Sequence, residues 1–464
     1  MAHIEREIKL GLTSEAFARL ARLAPQRRSV ASVYYDTPRQ ELRRAGIALR
    51  LRRDGGRWLQ TLKAQSSPHA GLAARAEWEL PVRGKALEPA RFPHAEIRSA
   101  TGVDLARVAR RLRPMFETRF TRRSGLVQLD GRANAELCID QGLIVSGKLR
   151  EKISEVELEL ISGDTQALLR FAEGLALPLA YESKAERGYR LAAGMPRAPR
   201  KWRMPPVDAA GAPPAAFEAL VSAALAQVGV NAAGMRASRD SEYLHQLRVG
   251  LRRLRSALRA FAPILKDVKP LTRSIRELMP ALGAARDWDV FTDRLGAVRN
   301  APARREATRR AALAVVGSDE FQAFLFHALR WLQSRPWRDS DATLVDFAPN
   351  RLERLHRRTV EALGGTSARR RHKLRIRVKR LRYACEFFAP CFPAAALEAY
   401  TRPLAALQDI LGELNDIAVA RRFLKTLGAS APKRLDTREA QLMSALRAAR
   451  ERFEGAPQYW RPPG

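Results

Sequence analysis

The sequence predicts an α+β chain of two domains, an antiparallel β half followed by an all-α half, and three observations carry that prediction. Before about residue 195, short segments alternate apolar and charged residues with period two, the pattern of antiparallel strands. Six prolines then fall between residues 196 and 214, in GMPRAPRKWRMPPVDAAGAPP, and mark a linker or boundary. Beyond them Ala, Leu and Arg recur at helical spacing, and a stretch that begins at His245 returns at His372. The expected organisation is a first domain over 1–195, a linker over 196–214 and a helical domain over 215–455. The last holds two repeats, at about 215–330 and 345–455.

With 464 residues, 46% of them apolar, the chain can bury sizeable cores. Its formal charge of +34 is spread over both halves, +13 over residues 1–200 and +21 beyond. Such a field draws polyanions, whether nucleic acid, anionic lipid or a phosphate polymer. Of the 83 cationic residues only 13 are Lys, and Arg suits bidentate phosphate contacts. Three cysteines with no CxxC pair point away from a disulfide framework or zinc site and toward a reducing cytoplasm. Charges at Glu5, Arg6, Glu7 and Lys9 leave no signal-peptide core, and no run of about eighteen apolar residues predicts a membrane span.

The opening strand contains EREIK, with Glu5, Glu7 and Lys9 on one face. The same parity recurs in IALRLRR (47–53), with Arg50 and Arg52, and in WLQTLKA (58–64), with Thr61 and Lys63. RAEWELPV (75–82) presents Arg75, Glu77 and Glu79, and KISEVELELI (152–161) presents Glu155, Glu157 and Glu159. FETRFTRRSGLVQLD (116–130) and AELCIDQGLIV (135–145) read as two further strands. The alternate positions are apolar, among them Leu49, Leu51, Trp78, Val156 and Leu158. Two readings are open: a sheet with its charged face in water, or a closed barrel whose interior charges are compensated by ligand and metal.

EREIK matches the ExExK signature of the CYTH superfamily, the triphosphate tunnel metalloenzymes. LRLR (49–52), TLK (61–63), RAEWE (75–79), TRF (118–120), CID (138–140), EVELE (155–159) and ESKAERGY (182–189) follow in that family's order. The resemblance spans roughly residues 1–195 and implies an eight-stranded antiparallel tunnel that binds a triphosphate with a divalent metal. It makes Glu5, Glu7, Asp140, Glu155, Glu157 and Glu159 candidate ligands of Mg²⁺ or Mn²⁺; oxygen-only donors suit hard cations. Lys9, Arg50, Arg52, Lys63, Arg75, Arg119, Lys184 and Arg187 become the cations facing substrate, and the acidic Glu77 joins them as a candidate catalytic residue. The implied reaction is hydrolytic phosphoryl transfer, with inorganic tripolyphosphate the favoured substrate and thiamine triphosphatase or adenylate cyclase activity the family's alternatives. His3, His69 and His94 fall outside the matched segments and read as surface residues.

In the helical half, HQLRVGLRRLRSALRAFAP from His245 pairs with HKLRIRVKRLRYACEFFAP from His372. His245, Arg248, Arg252, Arg255 and Arg259 fall within an arc of roughly 80°, beside an apolar stripe of leucines. His372, Arg375, Lys379 and Arg382 repeat the pattern, with Glu386 in place of the last cation. A solvated helix face normally mixes its signs; a stripe of one sign, present twice, suggests a groove completed by an anion. Each histidine is read either as a phosphate donor or as a capping or packing residue. LGAARDWDV from Leu282 and LGELNDIAV from Leu411 form a second matched pair. Their Asp287, Asp289, Asn415 and Asp416 are read as turn residues that cap helices, accept from Arg or hold metal.

These motifs resemble the CHAD family, helical domains often fused behind CYTH domains, over roughly residues 215–455. The resemblance implies binding of long-chain inorganic polyphosphate and association with polyphosphate granules in prokaryotes. The stripes carry little aromatic interleaving, so no specific nucleic-acid partner is expected. The competing reading is a granule-binding protein whose tunnel is idle. Oligomeric state is not legible.

Overall fold

The computed structural model describes residues 3–65, 71–296, 298–338, 341–365 and 367–461; His69 lies outside them. The chain separates into two compact units, Met1–Arg200 with Gln322–Ser334, and Lys201–Phe321 with Arg335–Gly464.

The first unit is built on eight antiparallel strands: β1 (His3–Gly11), β2 (Gln26–Asp36), β3 (Ile47–Asp54), β4 (Arg57–Gln65), β5 (Leu72–Val82), β6 (Arg113–Gln128), β7 (Asn134–Ser146) and β8 (Leu149–Ser162). They close into a barrel in the order β1-β5-β4-β3-β2-β6-β7-β8. The barrel is inverted relative to an ordinary sheet, because its charged parity points inward. Glu5, Glu7, Lys9, Asp140, Glu155 and Lys184 are all buried. The apolar parity faces out: Ile47, Leu49, Leu62 and Trp78 pack against Phe92, Ile97, Leu105 and Val108. The last three lie on the helices that cover this wall, α3 (His94–Thr101) and α4 (Leu105–Ala109), which follow α1 (Ser14–Leu20) and α2 (Glu41–Arg44). The solvated-face reading of the strand charges is therefore excluded.

Two more helices follow β8 in this unit, α5 (Thr165–Gly174) and α6 (Lys184–Ala192). A capping box, Ser183 with Glu186, starts α6 and fixes where Lys184 enters. Gly188 lets α6 lie against Phe116, since a Cβ there would stand 2.0 Å from the ring. Gly188→Ala is expected to cost about 1–3 kcal/mol by overpacking; a melting temperature equal to wild type contradicts this. His94 is half-buried, its Nε2 2.9 Å from the Pro89 carbonyl oxygen, rather than free on the surface.

No helix or strand lies between Ala192 and Pro213. The helices that follow are α7 (Pro213–Ala237), α8 (Ser241–Ala260), α9 (Lys269–Leu295), α10 (Ala301–Gly317), α11 (Asp319–Gln333), α12 (Leu344–Val360), α13 (Ala368–Phe387), α14 (Ala394–Thr426) and α15 (Lys433–Glu454). The offset that relates His245 to His372 also relates both ends of α8 to those of α13, and the 3₁₀ turn Ala262–Ile264 to Ala389–Cys391. The repeat-related Phe261 and Phe388 meet at 5.2 Å in the core. Asp287 and Asp289 lie inside α9 and Asn415 and Asp416 inside α14, not in turns as expected from sequence. Asp289 accepts from Arg305 Nε at 2.7 Å, and Asp416 pairs with Arg294 at 3.2 Å. By length and composition α7 could cross a membrane, but 72% of its most apolar window is buried, as in a core helix. All three cysteines are free.

Candidate active site

The barrel encloses a cavity of about 530 Å³ lined by Glu5, Glu7, Lys9, Arg50, Arg52, Lys63, Arg75, Glu77, Glu157, Glu159 and Lys184. Strand alternation puts them there, and register sets their neighbours: Glu5 stands opposite Arg75, Glu7 opposite Glu159 and Lys9 opposite Glu157. The charges divide into two groups that differ in their balance of sign.

In the first group Lys184 Nζ lies 2.7 Å from Asp140, 2.5 Å from Glu155 and 2.9 Å from Glu157. Arg122 forks onto Asp140 at 2.7 and 2.6 Å and reaches Glu157 at 2.6 Å. Lys9 also bonds Glu157. Arg187 stands behind, paired with Glu155 and Glu151 at 2.9 Å each. Burial opposes ionisation of Glu157, but Lys184, Lys9 and Arg122 outweigh it and hold the carboxyl well below its usual range. Oxygens of Asp140, Glu155 and Glu157 converge within 4.8 Å, yet two cations already occupy that convergence.

The second group has a surplus of carboxylate. Glu5, Glu7, Glu77 and Glu159 share Lys63 and Arg75, with Lys9 divided between Glu7 and Glu157. Lys63 lies 2.6 Å from Glu5 and 3.2 Å from Glu77. Arg75 comes within 3.2 Å of Glu7 Oε1 without hydrogen-bond geometry, so that buried oxygen has no donor. Burial raises Glu7, but Lys9 and Arg75 bring it down to about 2. Glu159 is pushed up to about 7 by burial and by Glu5, with Glu77 and Glu7 adding to it. A hard divalent cation fits this group: the donors are all oxygen, one is orphaned, and positive charge is short.

Elsewhere on the wall Arg52 pairs with Glu79 at 2.8 Å, whereas Arg50 is half-buried, with Tyr34 as its hydrogen-bond partner and Glu77 and Glu79 acting on it at longer range. No carboxylate lies within 4.0 Å of Arg50 among the described residues. That guanidinium is available to an anionic ligand.

Arg119 is a correction. It stands exposed on the outer face, paired with Glu117 at 2.6 Å, because the inward parity of β6 is that of Phe120 and Arg122. The sequence misled because β6 carries arginines on both faces. Arg28, Tyr34, Arg122, Glu136 and Ser183 also line the cavity and were not predicted. Arg122 had a legible signal, two residues beyond an inward Phe120; Arg28 and Tyr34 lie on β2, a strand absent from the sequence reading. Asp140 and Glu155 do not line the cavity but lie on its inward parity beneath Lys184, and Arg187 pairs with Glu155.

The helical unit brings Arg248 and Arg252 of α8 together with Arg375 and Lys379 of α13. Burial and Arg252 push Arg248 down to about 10, and burial with Arg375 and Arg252 pushes Lys379 down to about 7. His245 is pushed down to about 4 by burial and Arg286, so it is neutral at pH 7. Arg255 and Arg259 sit farther along α8 beside Arg380, while His372 and Arg382 are exposed. None of these stripe residues has a carboxylate within 4.0 Å among the described residues.

The CYTH family model matches residues 3–189 and the CHAD family model residues 219–425. The chain joins a CYTH domain to a CHAD domain. The inorganic triphosphatase of Haemophilus influenzae is 31% identical over 203 residues, 40% of this chain and 54% of that one, so the match spans about half of that relative. An uncharacterized protein of Mycobacterium tuberculosis is 27% identical over 85% of this chain and 81% of its own. Among solved structures, the CHAD domain from Ricinus communis covers 55% of this chain and 97% of its own, at 29% identity and a TM-score of 0.48.

Proposed function

We propose that the CYTH tunnel hydrolyses inorganic tripolyphosphate to pyrophosphate and phosphate with Mg²⁺ or Mn²⁺. We further propose that the CHAD domain binds long-chain polyphosphate and docks the protein on cytoplasmic polyphosphate granules. One observation carries the first reading: a closed barrel whose interior holds a surplus of carboxylates at Glu5, Glu7, Glu77 and Glu159 together with an Arg50 that forms no close ion pair among the described residues.

Arg50, together with Arg52, Arg122 and Lys184 that line the same cavity, binds and orients the phosphoryl oxygens. Glu5, Glu7 and Glu159 would hold the metal, which when bound neutralises developing charge and supplies an acidified water. Attack of water oxygen on the terminal phosphorus forms one P–O bond as the bridging P–O bond breaks, and pyrophosphate leaves. Cys138 lines the cavity, but burial pushes its thiol up to about 12, so it is not the nucleophile. The barrel wall keeps the phosphate in a partly dry site, where these charges act strongly.

Chelation of divalent cations is expected to abolish phosphate release from tripolyphosphate, and added Mg²⁺ or Mn²⁺ to restore it. Release that persists under chelation excludes the metal-assisted reading.

On the CHAD side, Lys379 gives a pH signature. Its free pKa of about 7 rises when an anion sits beside it, so binding takes up a proton and affinity falls as pH climbs from about 7 toward the bound value. Polyphosphate affinity is expected to weaken several-fold between pH 6.5 and 8.5, and Lys379→Arg to flatten that slope. An identical slope in the variant removes Lys379 from the site. Displacement of polyphosphate by equal phosphate equivalents of single- or double-stranded nucleic acid would contradict a condensed-phosphate preference.

A further inference from the structure

The cationic face of the CHAD domain is not symmetric. The offset from His245 to His372 maps Arg253 onto Arg380 and Arg259 onto Glu386. At one end Arg253 pairs with Glu386 at 2.9 Å and lies over the rings of Trp202, at 4.6 Å, and Tyr383, at 5.1 Å. Its guanidinium is engaged on several sides. At the repeat-related end the corresponding pair is two guanidinium groups, Arg259 and Arg380, with Arg255 acting on both.

Among the described residues no carboxylate forms an ion pair at that second end. Arg255, Arg259 and Arg380 are half-buried, and none has a carboxylate within 4.0 Å among the described residues. The buried Arg351 spends its donors on the carbonyl oxygens of Arg259 and Ala260, at 3.0 and 2.7 Å, which ties down the end of α8 that carries the cluster. Like charges held this way destabilise one another unless an anion joins them.

We propose that polyphosphate crosses the CHAD domain one-sidedly, seated on Arg248, Arg252, Arg375 and Lys379 and continuing over Arg255, Arg259 and Arg380, but not over Arg253 and Glu386. This rests on the polyphosphate-binding reading above. The polymer's footprint then ends at the Arg253–Glu386 pair, and Glu386 is the residue that sets its direction.

The test is calorimetric titration of the full-length protein with long-chain sodium polyphosphate at several salt concentrations. Arg259→Gln and Arg380→Gln are each expected to weaken binding about tenfold and to lower the log–log salt slope by about one. Arg253→Gln is expected to stay within about twofold of wild type. Glu386→Arg, which restores the repeat pattern, is expected to tighten binding several-fold. Thermal melts of each variant keep a folding defect from passing as lost affinity. Equal losses from Arg253→Gln and Arg259→Gln, or no tightening by Glu386→Arg, overturn the one-sided path. Unchanged affinity in Arg259→Gln and Arg380→Gln, with Arg248→Gln and Arg375→Gln still impaired, overturns it while leaving the polyphosphate reading intact. Absence of binding by the wild-type protein overturns both.

Discussion

Replacing Glu5 and Glu7 together by glutamine is expected to lower Mg²⁺-dependent phosphate release from tripolyphosphate by about 10³-fold or more, with the barrel still folded. The substitution keeps shape and hydrogen-bonding capacity but removes two charges from the group that has carboxylate to spare. A metal stabilises the transition state by several kcal/mol, and each 1.36 kcal/mol is about tenfold in rate, so loss of its ligands is felt in kcat. Folding suffers less, because Lys63 keeps Glu77 at 3.2 Å and Glu159 remains beside it. Steady-state kinetics over a Mg²⁺ titration, with a thermal melt alongside, checks this; wild-type kcat in the double variant contradicts it.

Lys184→Met is expected to be the most damaging single change to stability, by about 3–5 kcal/mol, or roughly 10 °C in melting temperature. Lys184 is buried and answers Asp140, Glu155 and Glu157 at once. Methionine fills the space and leaves the buried Asp140 and Glu155 and the half-buried Glu157 with Arg122, Arg187 and Lys9 alone. The pH dependence has a definite sign. In the wild type the Asp140 and Glu157 carboxyls lie below their usual range, with burial outweighed by Lys184 and its neighbours. Their stabilising contribution is therefore present above the unfolded value, near pH 4, and lost as pH falls further. In the variant those carboxyls are expected to hold protons to higher pH, so the penalty is largest near neutrality and shrinks on acidification. The gap between the two proteins should narrow from pH 8 to about 4 and close only as pH falls further, through the lowered carboxyl values of the wild type; a constant gap from pH 4 to 8 contradicts this assignment.

The tunnel was legible in the sequence wherever charge parity repeated along one strand. Glu5, Glu7 and Lys9, then Arg75 and Glu77, then Glu157 and Glu159 all face the cavity as alternation required. Parity failed on β6, where arginines on both faces made Arg119 look equivalent to Arg122, and only the register with β2 and β7 separates them. β2 escaped because its inward residues include Ser32 and Tyr34, which break the run of charge. The division of the acids into a neutralised group and a cation-deficient one was not legible, since it depends on α6 delivering Lys184 to Asp140. In the CHAD domain the repeat revealed the stripes. It did not reveal that His245 is neutral beside Arg286, or that Glu386 answers Arg253 from the other copy.

We propose that the inverted barrel is a working triphosphatase site. Its most direct test is phosphate release by the full-length protein with Mg²⁺, comparing tripolyphosphate, thiamine triphosphate, ATP and long-chain polyphosphate at equal concentration. A strong preference for tripolyphosphate in kcat/KM is the expected result. Release from none of the four, with long-chain polyphosphate still bound, would contradict it and make the protein a polyphosphate binder with an idle tunnel.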